Sequence, residues 1–287
     1  MATIIDSWVS RISEPLVSGW LNHGKIAQDR LTDISKVQVE RKISFNSAAM
    51  ELGILTPSDV AEALRRQRAM LPRSEDYALS PELAIAYDTS LKRAEVLRKL
   101  RYQLAVRWFA LHAPCKSLAI VSCGKGDGRS RLAAELAIVF AQAGERTLLV
   151  DADLRSPRQH ELFCMSNASG LTSLHGDVAL LASAVPVHAV ENLFIVRSGP
   201  IPDPSRSLLL LRGLEGMLQV ASTDFDVIIL DTPALDQYVD AQTISLAAGG
   251  ALFSVRRNEV HVDRLREHAD MLDGIGVNLV GSSFNTF

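Results

Sequence analysis

Residues 118–142 set the strongest constraint on what this chain can fold into. The apolar run Leu118-Ala119-Ile120-Val121 meets a glycine-rich stretch, Ser122-Cys123-Gly124-Lys125-Gly126-Asp127-Gly128-Arg129-Ser130-Arg131, and apolar residues at helical spacing follow from Leu132 to Gln142. A strand, a tight glycine turn and a helix in that order make an anion cradle. Successive backbone N–H groups wrap phosphate oxygens, and the helix N-terminus adds partial positive charge. The usual loop of this kind closes Gly-Lys-Ser/Thr. Here it closes Gly128-Arg129-Ser130, so the cation is a guanidinium. Small residues also crowd ordinary strand-to-helix turns, so the loop alone leaves both readings open.

Two further stretches narrow the choice. The run Arg146–Leu149 leads into Val150-Asp151-Ala152-Asp153-Leu154-Arg155-Ser156-Pro157, and Phe225–Leu230 ends in Asp231-Thr232-Pro233. Carboxylates at strand C-termini are where an open α/β sheet gathers its ligand groups, although such an Asp can also simply cap the next turn. Magnesium prefers oxygen ligands and keeps several waters, so a loop hydroxyl with one or two Asp side chains suffices to hold it. On this reading Gly124, Lys125, Gly126, Asp127, Gly128, Arg129, Ser130 and Arg131 form the nucleotide-phosphate site, and Ser130, Asp151 and Asp231 organise magnesium. Asp151 or Asp153 orients an attacking hydroxyl or accepts its proton. Lys125 supplies a compact ammonium or faces solvent, and Asn285 touches the base or forms a turn.

From Ser117 onward, strands and helices alternate, which predicts a parallel sheet with helices on both faces. The expected segments are Leu118–Val121, Leu132–Ala143, Thr147–Val150, Pro157–Leu162, Leu193–Val196, Ser205–Ala221, Val227–Leu230, Ala241–Ala247, Ala251–Val255, Val262–Leu272 and Asn278–Ser282. Leu97, Leu100, Leu104 and Trp108 form one stripe of a helix expected over 91–111. Upstream, residues 1–72 read as a small helical domain, with a helix start at Thr56-Pro57-Ser58-Asp59. Residues 73–90 read as a linker, and 91–287 as the α/β domain. Gly199–Pro204 is a rigid loop or a plain connector.

The 287 residues are 47% hydrophobic and 22% charged, a globular balance. The net charge of −3 gives no global surface for nucleic acid. Cys115, Cys123 and Cys164 lack metal spacing and fit free thiols in a reducing compartment. No apolar run of about 18 residues predicts a membrane span, so the chain is expected in the cytoplasm, reaching a membrane only through a partner.

Together these motifs resemble the bacterial tyrosine kinase family, the P-loop kinases of capsule and exopolysaccharide export. The family's Asp-x-Asp-x-Arg-x-Pro is matched by Asp151, Asp153, Arg155 and Pro157, and its Phe-Asp-x-Ile-Ile-x-Asp-Thr-Pro by residues 225–233. Its Glu-x-x-Arg-x-x-Arg assembly motif appears as Glu95, Arg98 and Arg101. The resemblance is nearest to the exosortase-associated, EpsG-like chain-length-determinant kinases, which share the Gly-Asp-Gly-Arg-Ser loop. It implies ATP and Mg as cofactors and a P-loop NTPase fold. It also implies a homo-oligomer working with a membrane polysaccharide co-polymerase, the chain-length determinant protein.

Residues 37–67 resemble the N-terminal domain of type II secretion ATPases. Gly53, Val60, Leu64 and Gln67 fit its cyclic-dinucleotide-binding version, but Ser44-Phe45-Asn46 replaces the expected Arg-Leu-Gly. The resemblance there implies a protein docking module. A nucleotide-dependent assembly switch with little kinase turnover is the alternative activity. The Arg129 loop and a last tyrosine at Tyr238, where the family carries a C-terminal tyrosine cluster, both bear on that choice. A spatial partitioning ATPase is a third class, sharing the Lys125 position but not the Glu95, Arg98 and Arg101 motif.

Overall fold

The structure is a computed structural model and describes residues 26, 30–41, 48–49, 51–56, 79–110, 116–173, 183–203 and 211–285. The chain divides into two units, one of Met1–Ser74 with Gln142–Glu145 and one of Glu75–Ala141 with Arg146–Phe287. In the first, helix α1 (Arg30–Arg41) buries Ile34, and its last residue, Arg41, pairs with Glu51. Ala48, Ala49 and Leu55 are buried beside a turn that Gly53 closes at φ +66°. The helix expected beyond Thr56 and the first part of the expected linker lie outside the described residues.

The second unit is the anticipated α/β sheet. Its strands are β1 (Ser117–Val121), β2 (Thr147–Asp151), β3 (Val185–Pro186), β4 (Leu193–Val196), β5 (Val227–Asp231), β6 (Gly250–Arg256) and β7 (Asn278–Asn285). They lie in the order β3-β4-β2-β5-β1-β6-β7, all parallel except the β3–β4 pair. The periodicity missed β3, which is two residues long and contains a proline. It also ended β7 early. That strand carries a bulge at Val280, where Ala251 pairs with Leu279 and Leu252 with Gly281, and then runs on to Asn285.

Alternate residues of each strand face opposite sides. Leu118, Ile120, Leu149, Ile195 and Ile229 pack on one face with α2 (Lys92–Leu104) and α3 (Arg129–Gln142). Ala119, Val121, Val150, Ile228 and Leu230 pack on the other with α4 (Leu214–Ala221), α5 (Asp240–Ala248) and α6 (Val262–Gly274). Burial of both sheet faces explains why the strands read as continuous apolar runs.

Residues 79–88 behave differently from a linker. Leu79, Leu83 and Ile85 are buried in the same core as α2 and α3, and Ser80 N–H bonds to Leu162 O at 2.9 Å. Glu82 pairs with Arg158 at 2.5 Å, and the Tyr87 hydroxyl accepts Leu79 N–H at 2.7 Å. Helix α2 then widens by one residue per turn over Ala105–Phe109, where Ala110 N–H reaches Ala105 O. That shift buries Trp108, whose indole N–H bonds to Ser117 O at 3.0 Å. The ring lies so close to Gly250 that a Cβ there would sit 2.4 Å from it, so β6 must begin with glycine.

Candidate nucleotide site

The glycine loop joins β1 to α3 at the C-terminal edge of the sheet. Gly126 and Gly128 have φ of +90° and +81°, a backbone that side chains resist, and this folds the loop back over the helix start. Asp127 is buried, and its Oδ2 accepts Gly124 N–H at 2.9 Å. Its backbone carbonyl accepts the Ser254 hydroxyl at 2.6 Å and the Asn285 amide at 3.1 Å. Lys125 and Gly126 stand exposed at the rim, and Lys125 makes no ion pair among the described residues.

Three of the expected phosphate or base contacts have other partners. The Arg129 guanidinium is buried and turned into the loop's own backbone. Its Nε donates to Thr232 O at 2.7 Å, and its Nη1 to Ser122 Oγ at 2.5 Å and Gly124 O at 3.0 Å. Its Nη2 lies 3.6 Å from Asp153 Oδ2. Five donors in a planar fork allow this wiring, which a lysine ammonium would not reproduce. Arg131 points away from the loop to Glu135 at 3.1 Å, a buried carboxylate also gripped by Arg93 of α2 at 2.6 and 2.7 Å. Asn285 is buried and braces Asp127 and Ser254, so its amide ties β7 to the loop instead of meeting a base.

The strand-end carboxylates do converge. Asp151 and Asp231 pair in register on neighbouring strands, both fully buried. Gln159, in the single helical turn Gln159–Leu162, joins them. Its backbone N–H donates to Asp151 Oδ2 at 3.0 Å, and its side-chain Nε2 to Asp231 Oδ2 at 2.8 Å and to Ser130 O at 2.9 Å. Burial, opposed by the Arg129 charge and reinforced by the Asp153 charge, pushes the Asp231 carboxyl up to about 6. Burial, then the Asp231 charge, holds Asp151 well above the ordinary carboxylate range.

Asp153 plays a different part. Its Oδ1 accepts the N–H groups of Arg155 at 3.0 Å and Ser156 at 2.8 Å, which shapes the turn after β2. Arg155 reaches Asp240 at the start of α5, at 2.8 and 3.2 Å, and lies 4.7 Å from the Tyr238 ring centroid.

The site suits magnesium on its own atoms. Asp151 Oδ1, Asp231 Oδ1 and Gln159 Oε1 are buried acceptors with no hydrogen-bond donor. A hydrated cation satisfies such oxygens, either directly or through its waters. Among the described residues, no group of three or more His, Cys, Asp or Glu side chains has metal-holding geometry.

The expected assembly motif is divided. Glu95 and Arg98 pair along α2 at 2.6 Å, and Arg98 also meets Thr89 O. Arg101 lies 6.0 Å above the Phe140 ring of α3. Val96 and Tyr102 stand exposed on the same helix. Gly199 is held by Asn167 at 2.8 and 2.9 Å, an anchored connector. Cys123 is a buried free thiol and Cys164 an exposed one. No described helix is long and apolar enough to cross a membrane. Gln159, Asp240 and the Arg93–Glu135 pair escaped sequence reading, because nothing local separates them from ordinary helix polar residues.

A scan against protein-family models finds no match. Tyrosine-protein kinase YwqD of Bacillus subtilis is 30% identical over 221 residues, which cover 77% of this chain and 87% of that protein. The crystal structure of the chimerical protein CapA2B2 superposes with a TM-score of 0.64 at 27% identity, covering 79% of this chain and all but 1% of that one. The kinase domain of the Escherichia coli tyrosine kinase ETK gives 0.64 at 24% identity, covering 78% and 86%, a likeness of fold. With a P-loop facing two strand-end carboxylates and a relative matched over most of its length, the chain belongs to the bacterial tyrosine-protein kinase family.

Proposed function

We propose that this chain is an ATP- and magnesium-dependent protein-tyrosine kinase serving exopolysaccharide synthesis, chain-length control or export. The observation that carries the reading is the convergence of the Ser130 end of the P-loop with Asp151 and Asp231, whose free oxygens lie buried beside it. Loop amides of Gly126, Asp127 and Gly128 would bind phosphates, with Lys125, exposed at the rim, as a cation beside them. Ser130, Asp151 and Asp231 would hold magnesium, which when bound neutralises charge developing on the transferred phosphoryl group. Asp151 or Asp153 would orient the incoming tyrosine hydroxyl or accept its proton, and one oxygen of each is already committed, Asp151 Oδ2 to Gln159 N–H and Asp153 Oδ1 to its turn.

The chain would act in the cytoplasm as a homo-oligomer, recruited to the inner membrane by a polysaccharide co-polymerase. Residues 1–72 would serve as its docking module. The second reading, an assembly switch with little turnover, is favoured by one feature. Arg129 is occupied with the Gly124 carbonyl of the loop and the Thr232 carbonyl after β5, so reaching a γ-phosphate requires it to let go.

Calorimetry of Mg-ATP binding, followed by mass spectrometry after incubation with Mg-ATP, tests both readings. Ser130→Ala and Asp231→Ala should each weaken binding by roughly 1–3 kcal/mol in a folded chain. Unchanged affinity in both removes the site assignment. Any phosphate on the isolated chain should fall slowly on Tyr77 or Tyr87. Binding without any transfer, even with the partner present, selects the switch.

A further inference from the structure

Gln159, which no sequence motif singled out, contacts three of the residues anticipated for the site, Ser130, Asp151 and Asp231. Its side chain is fully buried, and its orientation is settled by two acceptors, because Nε2 donates to Asp231 Oδ2 at 2.8 Å and Ser130 O at 2.9 Å. Its backbone N–H meanwhile donates to Asp151 Oδ2 at 3.0 Å. One residue thereby ties together the ends of β2 and β5 and the start of α3. With both amide hydrogens used, Oε1 is left facing no donor, and Asp151 Oδ1 and Asp231 Oδ1 are in the same condition. Buried acceptors without donors are rare in folded proteins, because each forfeits its hydration.

We propose that Gln159 is the positioning residue of the divalent-cation site. Its carboxamide locks the Asp231 carboxylate against the Ser130 end of the loop, and Oε1 completes a set of three acceptors that takes a hydrated Mg2+. This rests on the magnesium–nucleotide reading above and adds to it a residue outside the loop and strand-end motifs. A Gln159 that only held its turn together would affect stability and leave the metal dependence of nucleotide binding untouched.

The test is ATP binding to the full chain by calorimetry, with excess Mg2+ and again with EDTA, alongside paramagnetic-resonance titration with Mn2+ alone. Gln159→Met keeps length and removes every polar atom. It should leave affinity in EDTA within about twofold of wild type and lower the Mg2+-induced gain and the Mn2+ affinity about 10- to 100-fold, as for other outer-shell supports of metal ligands. Gln159→Asn, which keeps an amide but falls short of Asp231, should lose the same way and serves if the Met variant does not fold. A folded variant of either kind with wild-type Mg2+ gain and Mn2+ affinity overturns the proposal. If the wild-type chain itself shows no Mg2+-dependent ATP binding, the nucleotide reading fails first and takes this inference with it.

Discussion

Asp151 and Asp231 stand in register at the ends of neighbouring parallel strands, and each keeps one buried carboxylate oxygen without a partner. Two acids so placed bind protons more tightly in the folded chain than in the unfolded one. Burial puts Asp231 at about 6 and Asp151 well above its usual range, while the unfolded groups titrate near 4.

Between those limits the folded state holds more protons, so stability falls as pH rises from about 4 through about 6 for Asp231 and on to higher pH for Asp151. Thermal melts in EDTA without nucleotide should show Tm climbing as pH drops from 8 toward 5. Glu191, raised to about 7 by burial, and Asp226 titrate in the same direction. The site's share is therefore read from Asp231→Asn, which should raise Tm at pH 8, flatten the profile and abolish Mg2+ binding. A profile identical to wild type contradicts the pair's assignment.

Arg129→Lys should separate loop stability from catalysis. The lysine keeps the charge and loses most of the contacts to Ser122, Gly124 and Thr232. The nucleotide-free protein should lose about 2 kcal/mol in urea unfolding, the scale of lost hydrogen bonds to a charged group. Turnover should change by more than ATP affinity, since placement at the γ-phosphate governs the transition state. Equal stability and equal turnover would make the substitution neutral.

Arg93 and Glu135 form a bidentate pair whose acid is wholly buried. Arg93→Ala leaves Glu135 with Arg131 alone, and breaking a buried pair by removing one partner costs about 3 kcal/mol or more. Urea unfolding should register that loss. Arg93→Ala with Glu135→Gln should recover part of it, because the uncompensated charge is gone.

The α2 motif bears on assembly. Glu95 and Arg98 already pair within the helix on a half-exposed face, so their loss should cost the single chain less than about 1 kcal/mol. Arg98→Ala with Arg101→Ala should nevertheless shift the oligomer distribution toward monomer in light scattering, with ATP and without. An unchanged distribution in a folded double variant removes the motif from any interface.

The parallel sheet, the glycine loop and the strand-end acids were legible in the residues because each rests on local rules. Strands buried on both faces must be continuously apolar, turns at φ near +90° need glycine, and acids gather where parallel strands end. Partner choice was not legible. Arg129, Arg131 and Asn285 carry the right groups for phosphate or base, yet Arg129 and Asn285 are drawn to Thr232 and Asp127, far away in sequence, and Arg131 to Glu135 one helical turn on. Residues 79–88 read as linker because they continue the polar, turn-rich stretch Met70–Pro81. Three apolar side chains, Leu79, Leu83 and Ile85, still suffice to seat them in the core. Gln159 gave no local signal at all. Its importance arises only when β2, β5 and α3 are brought within hydrogen-bond reach of one amide, and tertiary packing alone does that.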